Sequence, residues 1–388
     1  MKMFDKVLAS RQWNEEERMI LDQVQRMVDK VIAPNAEHID ATGEFPWENV
    51  NAINELGLNT IFVPEEYGGM PMSYRLYLEI VTLISEACAS TGIIYATNYH
   101  GMKPLIEYGS EEQKQRLLPC IAEGGLGALA ITEPSAGSDA TGMKTSFRPD
   151  GDDIILNGSK IFISNGDVAD RYLVFGKWSE IDDPKAAISA LILEKGAEGF
   201  SVISKEKKMG HNGSSTCALA FDDIRVPRAN LLGEPGDGLK ILLASLNKSR
   251  PSVAAHARGI ARAAFRDMVA YANERKQSNR AVLDFQGIQF LIADLAGELA
   301  MVEKWLDYVA DMVDSGENDI GLEASLAKMR ASDLAMTMAD NCVQVHGGYG
   351  YCRDYRAERL MRDAKITQIW EGTNQVHRQL IGRSFRAR

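Results

Sequence analysis

A glutamate flanked by an aromatic residue and a glycine stands near the end of the chain, in Ile369-Trp370-Glu371-Gly372-Thr373-Asn374-Gln375. A carboxylate shielded from water by apolar neighbours holds a proton more tightly, which suits it to removing a weakly acidic proton from carbon. Two further stretches combine residue types that bind ligands. Thr132-Glu133-Pro134-Ser135-Ala136-Gly137-Ser138-Asp139 offers hydroxyls and backbone N–H groups that fit a phosphate or the edge of a heteroaromatic ring. Gln344-Val345-His346-Gly347-Gly348-Tyr349-Gly350-Tyr351 is glycine-rich enough to let a ligand or a second chain approach the backbone closely. Each stretch also has a plainer reading: an exposed Glu beside a turn, a polar loop of Asx and Ser turns, and a helix C-cap with its connector.

Other chemistries lack their signatures. There is no G-x-x-x-x-G-K-[ST], no H-E-x-x-H and no G-x-S-x-G, so nucleotide hydrolysis, zinc peptidase chemistry and a nucleophile elbow have no local support. Gly125-Leu126-Gly127-Ala128-Leu129-Ala130 fits G-x-G-x-x-A, but a helix-like segment precedes it and a strand-like one follows, the reverse of the dinucleotide fingerprint. Five scattered cysteines without a C-x-x-C pair indicate neither a disulfide framework nor a metal site. A net charge of -11 argues against nucleic-acid binding, so any anionic ligand must meet a local cationic pocket. No apolar run approaches the roughly 18 to 20 residues of a membrane span, and Met1-Lys2-Met3-Phe4-Asp5 does not open a signal peptide. A cytoplasmic protein without membrane association is expected.

These residues need elements to hold them, and 388 residues exceed what one core usually supports. Up to about Gly125 the pattern is helical. Val24, Met27, Val28, Val31 and Ile32 recur at helical spacing before Pro34 stops the run, and further helices are predicted from about Ser73 to Glu86 and Glu111 to Ala122. From Ala128 to about Leu232 short β-prone runs alternate with turn pairs. Asp150-Gly151 and Asn157-Gly158 bracket Ile154-Ile155-Leu156, and Asn165-Gly166 follows Lys160 to Ser164 as hairpin chemistry. Runs at Tyr172 to Phe175, Ala187 to Leu193 and Cys217 to Phe221 suit further strands. Ser252 to Arg275, Gln286 to Val313 and Leu322 to His346 then suit a bundle of long antiparallel helices. The expected fold is α+β: an N-terminal α-helical domain over 1–126, a middle antiparallel β domain over 127–235 and a C-terminal helical bundle over 236–388.

Taken together the clusters resemble the acyl-CoA dehydrogenase family of flavoenzymes over nearly the whole chain. The resemblance rests on Ile131-Thr132-Glu133 with Gly137-Ser138-Asp139, and on Gln344 with Gly347, Gly348, Gly350, Tyr351, Asp354, Arg359 and Asp363. It implies that the C-terminal part is a four-helix bundle, that FAD is the cofactor, and that the protein is a homotetramer, a dimer of dimers. Leu129, Ile131, Thr132, Gly137, Ser138, Phe162 and Ser164 would contact the flavin of the same chain, with Phe162 on the ring. Arg275, Gln286, Gln344 and Gly348 would reach the FAD of a neighbouring subunit, and Thr373 and Gln375 its diphosphate.

The same resemblance makes Glu371 the catalytic base, since Ser249 occupies the helix position to which some branches move that carboxylate. Glu371 would take the α-proton of an acyl-CoA thioester while the β-hydride leaves to the flavin, giving a 2-enoyl-CoA as in β-oxidation. Electrons would pass to an electron-transferring flavoprotein. Ser138, Tyr95, Asn98, Tyr99, Trp370 and Gly372 would line the substrate, and Lys248 with Arg250 would supply positive charge at the mouth for the CoA phosphates. Ser278-Asn279 stands where relatives usually have Phe-Gly. Large side chains on the segment with Tyr95, Tyr99 and His100 imply a short, branched, cyclic or aryl acyl group. A flavin oxidase or monooxygenase, or a non-catalytic flavoprotein on the same fold, is the alternative, and retention of Glu371 disfavours it.

Overall fold

Capping pairs start the N-terminal helices. In a computed structural model that describes residues 2–386, α1 (Lys2–Ala9) is followed by α2 (Glu15–Met27). Asn14 accepts from the backbone N–H of Glu17 while the Glu17 carboxylate accepts from that of Asn14. Pro34 does not stop this run. A π-helical turn over Val28–Ile32 widens the backbone, and Pro34 falls in the first turn of α3 (Ala33–Thr42), where a missing N–H costs least. α4 (Trp47–Glu55), α5 (Tyr74–Ala87), α6 (Ala89–Tyr108) and α7 (Glu111–Ala122) complete the N-terminal part. Ser73 and Ser110 cap α5 and α7.

The middle region is an eight-stranded sheet made of β1 (Gly127–Ala130), β2 (Ser146–Asp150), β3 (Asp153–Ser164), β4 (Arg171–Trp178), β5 (Ile188–Glu194), β6 (Phe200–Lys205), β7 (Thr216–Pro227) and β8 (Leu231–Leu232). Its order is β6-β7-β3-β2-β4-β5-β8, with β1 also on β4. The sheet is mostly antiparallel, but β1 and β2 each run parallel to β4. Asp150-Gly151 turns the β2–β3 hairpin as expected. Asn157-Gly158 does not turn: β3 continues through it with a bulge, and Asn157 instead exchanges hydrogen bonds with Asp223. Asn165-Gly166 makes a turn but no hairpin, because β3 is already paired on both edges by β2 and β7 and the chain must cross to β4.

α8 (Gly238–Glu274) then runs for 37 residues, about 55 Å, straight through Pro251. The small strands β9 (Lys276–Gln277) and β10 (Arg280–Ala281) link it to α9 (Gln286–Asp314), α10 (Gly321–His346), α11 (Gly348–Tyr351), α12 (Ala357–Thr367) and α13 (Asn374–Ser384). The middle of α8 is buried on all sides, and its alanines, Ala254 to Ala264, let α5 and α10 pack closely against it. Gly259 marks the tightest approach, since a Cβ there would lie 2.5 Å from the carbonyl oxygen of Thr82 on α5. One apolar core therefore joins the N-terminal helices to the C-terminal bundle, and α8 carries residues of both.

Candidate active site

Glu371 lies in the short loop between α12 and α13, and the loop is held in an unusual shape. Glu371 has φ 53° and Gly372 φ 90°, a left-handed pair that only Gly adopts freely. Strain of this kind persists where neighbours over-determine it, and α10 supplies them. Lys328 donates to the Gly372 carbonyl at 2.8 Å and to Asn374 Oδ1 at 3.0 Å. Asn374 in turn donates to Ser332 Oγ at 2.9 Å and Asp333 Oδ1 at 2.7 Å. Lys328 is fully buried, and burial pushes its ammonium down to about 7 against the pull of Glu371.

The half-buried carboxylate of Glu371 accepts from Ser249 Oγ on α8 at 2.7 Å. Ser249 thus faces the same space as Glu371. Arg250 is not at a mouth. It is 7% exposed, its Nη1 donates to Ser325 Oγ at 3.4 Å, its Nε has no partner among the described residues, and burial lowers its pKa although Glu371 opposes this. The reason is its place in the first buried turns of α8, where the side chain turns inward between α10 and the Glu371 loop. Lys248 is paired with Glu107, which also draws Lys103, so its charge is already matched within the chain.

Trp370 packs against two buried histidines, edge-on to His211 at 5.2 Å and tilted to His256 at 5.6 Å between ring centroids. His100 on α6 lies within electrostatic reach of Glu371 and is buried. Tyr95 and Tyr99 share a face of α6, as their spacing predicts, and both pack on Tyr77, with Phe62 and Tyr74 completing an aromatic wall. Tyr95 donates to the Leu58 carbonyl at 3.0 Å. Asn98 is spent on structure: it accepts from Gly127 N at 2.6 Å and donates to Asn59 and to the Gly125 carbonyl, tying α6 to β1.

The Thr132 group gathers at the end of β1. Ile161 N donates to the Thr132 carbonyl at 2.8 Å, which sets Thr132 beside Phe162, and the buried Glu133–Lys160 ion pair at 2.9 Å clamps the loop from beneath. Phe162 sits in a bulge of β3 with φ 60° and is 61% exposed. An aromatic ring held outward by a strained backbone is a surface offered to a flat ligand. Leu129, Ile131 and Ser164 are half-buried nearby in the sequence, and Gly137 and Ser138 lie exposed with open space around Gly137. Hydroxyls, a free ring face and an uncrowded glycine fit a flavin.

Arg275, Gln286, Gln344 and Gly348 are all exposed, around a corner where Arg275 lies over the Tyr349 ring at 5.8 Å. Arg275 ends α8, 26 residues or about 39 Å beyond Ser249, so within one chain the corner stands well away from Glu371. Thr373 caps α13 by accepting from Val376 N, and Gln375 is exposed. Among the described residues no group of three or more His, Cys, Asp or Glu is arranged to hold a metal ion, and no helix is long and apolar enough to cross a membrane.

Sequence reasoning missed Lys328, Ser325, His211 and His256. A signal existed for Lys328, a lone cation on the apolar face of Ala324-Ser325-Leu326-Ala327-Lys328. None existed for the histidine pair, whose members lie 45 residues apart on different elements.

Comparison with known proteins matches three successive parts of the chain to family models: the acyl-CoA dehydrogenase N-terminal domain over residues 14–125, the middle domain over 128–224 and the C-terminal domain over 236–385. An acyl-CoA dehydrogenase of Bacillus subtilis (strain 168) is 43% identical over 95% of this chain and 97% of its own. Among solved structures, a chain from work on the electron transferring flavoprotein of Acidaminococcus fermentans superposes with a TM-score of 0.94 at 42% identity, covering 97% of this chain and 99% of that one. Butyryl-CoA dehydrogenase from Megasphaera elsdenii does so with a TM-score of 0.93 at 36% identity, over 97% and 99%.

Proposed function

Because the chain belongs to the acyl-CoA dehydrogenase family, an FAD-dependent oxidoreductase acting on acyl-CoA, we propose that Glu371 is the base that removes the α-proton of its thioester substrate. The observation that carries this reading is the strained Glu371-Gly372 pair, pinned by Lys328 from α10 while Ser249 from α8 orients the carboxylate at 2.7 Å. A base held this way is already aimed before substrate arrives, which is what proton abstraction from carbon requires. The backbone N–H of Glu371 would bind the thioester carbonyl, where charge develops as the proton leaves.

FAD, when bound, supplies the hydride acceptor. Thr132, Gly137, Ser138 and Ser164, with the ring of Phe162 and the walls Leu129 and Ile131, hold it from one chain. Arg275, Gln286, Gln344, Gly348, Thr373 and Gln375 face the FAD of a neighbouring subunit in a homotetramer. Their exposure and the distance along α8 support a shared site. The aromatic wall of Tyr95, Tyr99 and Tyr77 favours a short, branched or cyclic acyl group, in keeping with the butyryl-CoA dehydrogenase likeness. An electron-transferring flavoprotein is the proposed acceptor.

The test is anaerobic bleaching of the purified yellow protein by a panel of CoA esters. Short or branched saturated esters should bleach the flavin and yield the 2-enoyl product. If no ester bleached it, the assignment of the reaction would fail.

A further inference from the structure

The segment that follows β1 is exposed at its tip and held at its base. Pro134, Ser135, Gly137, Ser138 and Asp139 are exposed, and a Cβ on Gly137 would meet nothing within 4 Å. At the base Glu133 is 5% exposed, and its carboxylate gathers donors from two other parts of the chain. Oε1 accepts from Thr145 N and from Lys160 Nζ, each at 2.9 Å, and Oε2 accepts from Lys144 N at 2.6 Å. The backbone of Glu133 also exchanges two bonds of 3.1 Å with Ala136. The tip therefore takes its position largely from one buried carboxylate.

Lys160 ties that carboxylate to a second piece of the site. Its side chain is fully buried, and its ammonium donates to the Ile131 carbonyl at 2.8 Å as well as to Glu133. On β3 Lys160 pairs with Leu219, and the register then shifts before Ile163 meets Cys217. That shift is the bulge that holds Phe162 outward with φ 60°. One side chain thus spans the loop that carries Thr132 and the bulge that carries Phe162. Without it the Ile131 carbonyl and the Glu133 carboxylate would each lose a buried donor. Buried ion pairs add little net stability over apolar packing of the same volume, and the use left for this one is to fix where the two pieces stand.

We propose that Lys160 and Glu133 are positioning residues for the flavin: their ion pair sets Thr132, Gly137 and Ser138 on one side and Phe162 on the other at the separation the cofactor needs. The proposal rests on the reading that those residues hold FAD. The clamp is complete only while Lys160 is charged. Burial pushes its ammonium down to about 8, although Glu133, the charged group that faces it among the described residues, pulls the other way. Above that value Glu133 becomes a buried carboxylate without its counter-ion, so the loop loosens and FAD is released more readily. For a single proton, linkage limits this loss to about tenfold per pH unit.

The experiment dilutes the yellow holoprotein into buffers from about pH 6.5 to about 9.5 and follows the fluorescence of released FAD, with circular dichroism reporting whether the chain stays folded. Wild type should show an inflection near pH 8, beyond which the folded protein gives up FAD more readily. Lys160→Met should release FAD about tenfold more readily at neutral pH, for the loss of one buried hydrogen bond to a charged group, and should lack that inflection. Any step near pH 7 that comes from Lys328 remains in the variant, so the two lysines are told apart. Glu133→Gln removes the counter-charge and keeps the volume, so the inflection should move to lower pH. It carries the test if Lys160→Met purifies without FAD. Wild-type release that stays flat through pH 8, or Lys160→Met protein that keeps FAD as wild type does, overturns the clamp. So does a lower melting temperature with unchanged release, since the pair would then be a structural bond alone. Thr132→Val should weaken FAD at every pH and leave the inflection in place. If Thr132→Val had no effect, the placement of the flavin on this loop would fail, whereas a weakened Thr132→Val beside an unaffected Lys160→Met sinks only the clamp.

Discussion

Around residue 258 of α8, Arg11, Arg258 and Arg262 are buried with Glu79 and Glu303, and each guanidinium meets a carboxylate at hydrogen-bond distance. Nine residues earlier, about 13 Å along the same helix, Ser249 and Arg250 face Glu371 and Lys328. There the bonds run out: among the described residues Arg250 Nε, Trp370 Nε1 and His100 Nε2 have no partner. The two clusters share a helix, a core and the same kinds of side chain. The first spends its charges on one another, so it has nothing left for a ligand and serves to join the Arg11 turn to α5, α8 and α9. The second keeps donors unspent among the described residues, and an unpaired buried donor costs stability.

Glu371→Gln should break the contrast most visibly. The amide keeps the shape but cannot take a proton, so flavin bleaching should slow by about two to four decades. Thermal stability and FAD content should stay within ordinary experimental scatter of wild type. Near wild-type bleaching would move the base elsewhere.

The mirror experiment is Glu303→Ala. It strips a fully buried carboxylate from three guanidinium groups and should cost about 3–5 kcal/mol of stability. The bleaching rate per folded, flavin-loaded molecule should be unchanged. A rate loss without destabilisation would mean that the two clusters are coupled along α8.

Acid should separate the clusters further. Burial alone would raise Glu79, but Arg262, Arg11 and Arg258 overcome it and hold the carboxyl at about 2, against an ordinary value of 4.5, and Glu303 is lowered as well. The unfolded chain therefore takes up protons first. This stabilisation is complete above about pH 4.5 and is lost as pH falls toward 2, amounting to about 3 kcal/mol for Glu79. Lys328 runs in the same direction in a higher window: its folded value of about 7 lies below 10.5, so stability rises with pH between those values as the buried ammonium loses its charge. Denaturant midpoints measured across pH in wild type and Glu303→Ala should show the acid limb flatten in the variant. An unchanged limb would show that the network is not what acid disrupts.

The same contrast explains what could be read beforehand. The α, β, α order follows from local signals, as with Ser73 capping α5 and Asp150-Gly151 turning a hairpin. Asn157-Gly158 and Asn165-Gly166 carry the same signal and make no hairpin, because a turn pair specifies positive φ and not which strand comes alongside. Pro34 misled because a π turn is not written in hydrophobic spacing. The Trp-Glu-Gly setting singled out Glu371 only as a candidate beside the plainer reading of an exposed Glu at a turn, and the structure shows it half-buried. The burial of Arg250, Lys328 and the histidine pair was not legible, since it depends on elements that meet only after α8, α10 and the final loop have packed.

A smaller effect concerns the aromatic wall. Lengthening a good linear ester should cost about 1–3 kcal/mol in transition-state binding once the chain meets Tyr95, Tyr99 and Tyr77, through overpacking. Tyr95→Ala should restore longer esters. Tyr95→Phe should not, because it removes only the hydrogen bond to Leu58 and keeps the ring. Efficient bleaching of wild type by a linear long-chain ester would place the floor elsewhere.

Ser249→Ala should give the smallest and most discriminating change. In the ion network each glutamate is approached by three guanidinium groups, so loss of any one donor is partly covered by the others. The Glu371 carboxylate has Ser249 Oγ, at 2.7 Å, as its side-chain donor among the described residues. Removing that hydroxyl frees the carboxylate to rotate within its loop while Lys328 still pins the backbone at Gly372. A lost hydrogen bond of about 1 kcal/mol corresponds to roughly a fivefold slower bleaching step. The loss should appear in the limiting rate rather than in ester affinity, because the hydroxyl faces the base and not the thioester. Ser249→Thr, which keeps the donor, should recover most of the rate. If Ser249→Ala lowered the melting temperature and left the rate intact, the hydroxyl would belong with the network along α8 as a structural bond, and the line drawn between the two clusters would have to shift toward the loop.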